Sequence, residues 1–391
     1  MNIATLSLAY LRDRALTMAL NLVMLALGIG TIVVVILFGA QLESHLTRDS
    51  RGFDLVVGAK GSPLQLILST LYQADVPIGN VPFEDANAIA RNGLVATAVP
   101  IALSDNYRGF RIVGTEPSYA QHYGAKIAQG RLWQVPFEAT LGAEAARATG
   151  LGIGANFVGA RGVAPGGEVR GDRPYTVVGI LAPTGTVLDR LILTPVESVW
   201  QLDDRERAAK VPEITALLIT YRTPMAAAML PRFVNSRTAL QAASPAYETA
   251  RLLSLVGVGI DTLRGFGILL IASAALGVFI ALYNATRERR YDIAIMRSLG
   301  ASRGRVLREV LLEGLLLASG GIVLAFALGH GIAALLGEFS PEARALGLSG
   351  LAWRAEESWL VLLAMLVGVA AALVPALLAY RVDIARTLAG D

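Results

Sequence analysis

The chain has 391 residues, of which 54% are hydrophobic and only 17% are charged, and its formal net charge is +3. Soluble domains carry about 25% charged residues, so this composition is typical of a membrane protein, and the small net charge gives no indication of nucleic-acid binding. The chain contains no cysteine, which excludes disulfides, thiolate nucleophiles and cysteine metal sites.

Four apolar segments are each long enough to cross a bilayer. They lie at 17–40, 265–285, 310–336 and 359–380. Each has the ~20 residues needed to span about 30 Å of hydrocarbon. The first exceeds the apolar part of a cleaved signal peptide, and no convincing A-x-A site follows it. We therefore predict one retained helix, a large intervening domain and three further helices.

The distribution of arginine predicts the orientation of these helices. Seven arginines lie at 286–309, whereas four glutamates lie at 337–358. Arginines also precede the first apolar segment and follow the fourth. The positive-inside rule then predicts cytoplasmic segments at 1–16, 286–309 and 381–391, and outer segments at 41–256 and 337–358.

The long outer segment, 41–256, has the pattern of an α+β domain with a stalk. Runs rich in β-branched residues predict strands at 53–60, 108–114, 175–181 and 214–222. Helical spacing predicts helices at 63–73, 82–93, 142–152 and 225–241. The stretch 161–174 indicates a loop, and 246–266 indicates either a stalk helix or ordinary packing. Neither a catalytic motif nor metal-ligand spacing is present, so we predict no metal site.

One stretch of this outer segment, "FDLVVGAKGSPLQLILSTLYQADVPIGNVP" at 53–82, begins with a strand, a glycine turn and an apolar helix. Lys60, Leu64 and Leu68 are its candidate contact residues for a substrate or partner near the membrane surface. A strand, a tight turn and a packed helix without any binding role explain the same pattern.

The stretch "RERRYDIAIMRSLGASRGRVLREVLLEG", residues 287–314, separates the second and third apolar segments. Ile293, Met296 and Leu299 or Gly300 recur at helical spacing among charged residues, which predicts a short amphipathic helix. Gly300 suits a left-handed end to that helix, and Ser302 suits the start of the next one. No Walker A motif occurs anywhere in the chain. If ATP supplies the energy, another chain must hydrolyse it, and this helix has the pattern of a contact for that chain. Ile293→Asp should then abolish coupling while leaving folding intact.

The same stretch resembles the cytoplasmic signature of the FtsX-like permease family, the membrane subunits of MacB- and LolC/LolE-type ABC transporters. The matching residues are Glu288, Arg289, Ile293, Ala294, Ile295, Arg297, Gly300, Ala301 and Ser302. Asp292 replaces the usual glutamate. The closing element of the family is matched at Pro375, Arg381, Asp383 and Leu388, whereas Ile384 departs from its proline. Segments 141–157 and 175–195 resemble the MacB-type periplasmic core.

This resemblance implies a bacterial inner-membrane permease that transmits motion and is not itself an enzyme. Two permeases, either two copies or a copy and a paralogue, would pair with two ATPase subunits, which would hold ATP and Mg²⁺. A membrane-fusion or periplasmic adaptor protein is a further possible partner. The implied ATPase-coupling residues are Arg287, Glu288, Arg290, Asp292, Ile293, Met296, Arg297, Gly300 and Ala301.

Two functions remain open at this stage. The first is export or release of a hydrophobic, lipidated, peptide or metal-complex substrate by motion of the outer domain. The second is a transmembrane regulator like FtsX itself, whose motion activates a cell-wall hydrolase. The large MacB-like outer segment favours the first function.

Overall fold

A computed structural model describes residues 15–164, 166–170, 173–203, 211–339 and 349–381. The chain divides into two compact units. Glu43–Leu255 forms what we call the sheet domain, and Met1–Leu42 together with Val256–Asp391 forms the helical unit. The predicted outer segment, 41–256, nearly coincides with the sheet domain.

The described elements are numbered in chain order. The helices are α1 Ala15–Asp49, α2 Pro63–Thr70, α3 Phe83–Ala90, α4 Pro117–His122, α5 Ala143–Thr149, α6 Val196–Asp203, α7 Ala226–Arg237, α8 Pro245–Glu288, α9 Arg290–Ser298, α10 Arg303–Phe339 and α11 Ala355–Tyr380, and a 3₁₀-helix spans Val187–Arg190. The strands are β1 Leu55–Ala59, β2 Val81–Pro82, β3 Val95–Tyr107, β4 Phe110–Thr115, β5 Ile127–Gly130, β6 Glu138–Leu141, β7 Asn156–Phe157, β8 Ala160–Arg161, β9 Tyr175–Leu181, β10 Leu191–Pro195, β11 Glu213–Ile214, β12 Ala216–Tyr221 and β13 Leu240–Ala243.

Four of the described helices, α1, α8, α10 and α11, are long and apolar enough to span a membrane. The large α/β domain lies between the first and second of them, which confirms the predicted one-plus-three architecture. The helices extend beyond the apolar segments seen in the sequence. In particular, α8 is continuous from Pro245 to Glu288, so the predicted stalk, 246–266, and the second span are one helix.

Small residues let the long helices approach closely within the helical unit. A Cβ placed on Gly368 would lie 2.4 Å from the Cβ of Ala318, and one on Gly314 would lie 2.5 Å from that of Ala372. A Cβ on Gly329 would lie 2.7 Å from a methyl group of Val33. In a bilayer the hydrophobic effect does not drive helices together, because lipid tails are also apolar, so close packing of this kind stabilises the contact between helices. These glycines therefore serve packing inside the chain.

Among its described residues, the sheet domain is built on a mixed sheet of eleven strands. Its main path runs β13-β1-β12-β3-β4-β10-β6-β9-β5, and β4 with β10 and β6 with β9 are its parallel pairs. Separate apolar cores form beside the two halves of the path, one containing Leu217 and Ile219 and the other containing Ile112 and Leu141. Because β4 and β10 are parallel, their carboxyl ends meet at the same edge, where α4 and α6 follow.

Candidate coupling surface

A sharp corner joins α9 to α10 in the helical unit. Gly300 has φ +100°, and its N–H donates to the carbonyl of Arg297 at 3.1 Å. The N–H of Ala301 donates to the carbonyl of Met296 at 3.0 Å. These two bonds form a Schellman motif, in which a left-handed glycine satisfies the last carbonyls of a helix. The predicted left-handed helix end at Gly300 is confirmed, and α10 starts directly after Ser302.

The inner face of α9 packs against its own unit. Ile293 is 5% exposed and Ala294 is fully buried. Their apolar neighbours are Val306 and Val310 of α10 and Ala376 and Ala379 of α11, with Met296 partly buried at the edge. Since Ile293 is enclosed, Ile293→Asp would bury a charge among apolar groups. The expectation that this substitution leaves folding intact is therefore corrected.

An ion pair fixes the segment just before α9. A guanidinium nitrogen of Arg289 lies 3.1 Å from a carboxylate oxygen of Glu313, and the Glu313 side chain is almost fully buried. Beside it, a cavity of about 20 Å³ is lined by Arg289, Glu309 and Glu313 among others, which is room for about one water molecule. The pair ties the end of α8 to α10. Sequence analysis did not assign a role to Glu313, although an acidic residue within the third apolar segment was a usable signal.

The outer face of α9 presents an apolar strip to the surroundings. Tyr291, Ile295 and Leu299 are 58%, 37% and 83% exposed. Their four-residue spacing places them on one side of the helix. We call these three residues the exposed strip. The predicted apolar face consisted of Ile293, Met296 and Leu299 or Gly300. The structure packs Ile293 and Met296 against the unit and leaves Leu299 exposed in the strip.

The other predicted coupling residues surround this strip. Arg287, Glu288, Arg290, Asp292 and Gly300 are exposed, and Arg297 and Ala301 are partly exposed. Charges on both sides of an apolar strip match the arrangement of a protein–protein contact, in which an apolar centre has a polar rim. ATPase contact by these residues stays a prediction.

The three candidate contact residues of the sheet domain lie near one turn. Lys60 is exposed after β1, and Leu64 and Leu68 are half-buried on α2, four residues apart. The Ser62 hydroxyl accepts a hydrogen bond from the N–H of Gln65 at 3.4 Å, which caps α2. The geometry is accounted for by a turn and a capped, packed helix, and a binding role for these residues stays a prediction.

Models of known protein families match regions in both units of the chain. Residues 18–233 match the MacB-like periplasmic core domain, and residues 264–384 match the FtsX-like permease C-terminal model. The chain belongs to the family of FtsX-like permeases with a MacB-like periplasmic core domain. The FtsX-like match includes α9, the corner and the exposed strip.

This FtsX-like permease is a membrane protein whose sheet domain is extracellular in the sense of lying outside the cytoplasm. The family consists of permease subunits of ABC transporters, which pair with an ATPase subunit. The resemblance found in the sequence is thereby confirmed.

Two solved structures are similar to about half of the permease chain. The periplasmic region of MacB from Actinobacillus actinomycetemcomitans shares 12% identity with a TM-score of 0.36, covering 53% of this chain and 95% of that one. The extracellular domain of the noncanonic ABC-type transporter YknZ from Gram-positive bacteria shares 12% identity with a TM-score of 0.30, covering 48% of this chain and 98% of that one. No curated protein matches the sequence of the whole chain significantly.

Proposed function

We propose that this chain is the membrane subunit of an ABC transporter of the MacB and LolC/LolE mechanotransmission type. A separate ATPase, present in two copies and holding ATP and Mg²⁺, would bind the exposed strip from the cytoplasm. Its closure on ATP would move the sheet domain and thereby export or release a substrate. Both chain termini would lie in the cytoplasm of a bacterial inner membrane.

The observation that carries this proposal is the construction of α9. Its inner face is held by Ile293 and by the Arg289–Glu313 pair, so the helix is fixed to α10 and α11. Its outer face offers the exposed strip within a charged rim. A helix that is anchored on one side and apolar on the other suits transmission of a push from a bound partner.

The path for such a motion is supported by two uninterrupted helices. The division between the two units falls within α1, after Leu42, and within α8, after Leu255. Helices act as rigid elements in hinge and shear transitions. A displacement of the cytoplasmic end of α8, which lies next to Arg289, would therefore reach residues of the sheet domain along one helix.

The first experiment is purification of the tagged chain from its native membrane in mild detergent, with bound proteins and lipids identified by mass spectrometry. We expect stoichiometric recovery of a chain that carries a Walker A motif, and its loss in Tyr291→Asp. A chain that purifies without any ATPase, under conditions in which an established permease of the same membrane retains its own, contradicts the proposal.

The regulator function gives a different result in the same experiment. A cell-wall hydrolase recovered with the ATPase, without cargo, would favour an FtsX-like regulator. The match of residues 18–233 to the MacB-like core supports the transporter instead.

A further inference from the structure

The sheet domain contains a cleft of about 520 Å³, a volume typical of small-molecule sites. It opens at the carboxyl ends of the parallel strands β4 and β10, where Thr115 and Pro195 are paired. Crevices beyond the carboxyl ends of parallel strands are frequent ligand sites in α/β sheets. The cleft is distinct from Lys60, Leu64 and Leu68, which do not line it.

Aromatic side chains form the walls of this cleft. Trp133 is 3% exposed, and Trp200 and Phe83 are partly exposed, with the rings of Phe83 and Trp200 5.2 Å apart and tilted by 60°. The indole N–H of Trp200 donates to the carbonyl of Glu213 at 2.7 Å, which fixes the ring. The walls are therefore held in place before any ligand arrives.

The segment that carries Trp133 is held as well. Glu138 pairs with Arg131, with an N···O distance of 2.7 Å, and accepts the backbone N–H of Gln134 at 2.8 Å. Charge-assisted bonds of this kind are among the stronger ones. Because residues on both sides of Trp133 are tied to one carboxylate, this wall is also preorganised.

The charges of the cleft have one sign. Glu116 and Glu197 are exposed and line it, and none of the described lining residues is basic. The carboxylate of Glu116 accepts a hydrogen bond from the Ser118 hydroxyl at 3.4 Å. Two exposed carboxylates and the partly exposed indole of Trp200 line the same cleft. This combination favours a cation, since the carboxylates attract its charge and an indole face adds cation–π attraction.

We infer that this cleft binds a small organic ammonium compound, in which a tertiary or quaternary amine is attached to an apolar body. The ammonium group would lie between Glu116, Glu197 and the indole of Trp200, and the apolar body would cover Phe83, Trp133 and Pro195. A volume of about 520 Å³ lies within the range of small-molecule sites. The inference identifies the class of substrate that the proposed transporter would carry. Binding of the ligand does not depend on the proposed function, whereas its transport does.

The test compares two fluorescent probes on the full chain in lipid nanodiscs. One is the dansyl amide of 2-aminoethyl-trimethylammonium, and the other is the dansyl amide of 3,3-dimethylbutylamine, its neutral isostere. The two differ by replacement of the ammonium nitrogen with carbon. We expect saturable binding with a preference of about three- to thirtyfold for the cation, decreasing as salt is raised.

Two matched double variants test whether Glu116 and Glu197 cause the preference for the cationic probe. Glu116→Gln/Glu197→Gln keeps the shapes of both side chains and should abolish the preference for the cation. Glu43→Gln/Glu168→Gln removes the same charge at other exposed positions of the sheet domain and should retain it. Melting temperatures of all three proteins control for folding.

Equal binding of both probes to the wild type would overturn the inference, as would a preference for the cation that survives in Glu116→Gln/Glu197→Gln. A capped Pro-Pro-Arg peptide tests whether the cleft binds a cationic peptide instead. Saturable binding of that peptide without binding of the ammonium probe would also overturn the inference. The assay contains no ATPase. Failure of the ATPase experiments would therefore leave this result standing, and failure here would leave the coupling proposal untouched.

Discussion

Arg289 lies just before α9, and its guanidinium is 3.1 Å from the buried carboxylate of Glu313 in α10. This pair holds the carboxyl-terminal end of α8 against the helix that follows the corner. A partner that pushes on α9 would therefore move α8 and α10 together. The pair is a central element of the proposed coupling, and it can be tested separately from the contact surface.

Arg289→Ala should destabilise the protein by about 3–5 kcal/mol, because it leaves Glu313 buried without its arginine. Glu313→Gln should cost less, and Arg289→Ala should cost much less when introduced into the Glu313→Gln background. Thermal unfolding of the four proteins in detergent measures the interaction energy of the pair as a double-mutant cycle. Strictly additive effects would show that the two side chains do not support each other.

Two neighbouring glycines should respond to alanine in opposite ways. Gly300 has φ +100°, which alanine adopts at a cost of about 1–2 kcal/mol, although no atom would meet the added methyl group within 4 Å. Gly304 lies within α10 with equally open space, and alanine there should stabilise the helix by about 0.5–1 kcal/mol. Hydrogen exchange across 290–310 should rise in Gly300→Ala and fall in Gly304→Ala. The same direction in both would argue against the left-handed corner.

The pH dependence of the protein's stability in acid should depend on Glu138, which holds one wall of the cleft. Its hydrogen bond to Arg131, the largest cause, lowers the pKa of Glu138 from 4.5 to about 2. Because the folded-state pKa is lower than the unfolded one, this group contributes stability above about pH 4.5 that is lost as the pH falls toward 2. Glu138→Gln should therefore reduce the melting temperature at pH 6 and have less effect at pH 3. A difference that is constant between these values would contradict the role of the charged pair.

The membrane architecture was predictable from the sequence because twenty apolar residues have few alternatives to a membrane helix. Gly300 was predictable for a similar local reason, since a glycine after an amphipathic run commonly ends a helix. The strands at 175–181 and 214–222 were also found from β-branched runs. These features depend on local chemistry.

The features that could not be predicted from the sequence depend on tertiary contacts. Ile293 was predicted to face a partner but is enclosed, because Ile293 and Ile295 are equally apolar and packing against α10 and α11 decides which of them is buried. The long strand β3 was missed, since the polar run Ser104, Asp105 and Asn106 interrupts the apolar pattern, although Asp105 and Asn106 are buried. The cleft was missed because Trp133 and Trp200 are 67 positions apart in sequence.

The most direct test of the coupling proposal is the rate of the separately purified ATPase after addition of the chain in nanodiscs, compared between Tyr291→Asp and Tyr247→Asp. Both tyrosines are exposed, at 58% and 68%, but Tyr247 lies in the sheet domain and serves as the matched control. We predict that wild type and Tyr247→Asp alter the rate of the ATPase equally, and that Tyr291→Asp weakens this effect by about tenfold or more, as expected for a contact tyrosine. Equal rates for Tyr291→Asp and the wild type would contradict the proposal that the exposed strip receives the ATPase.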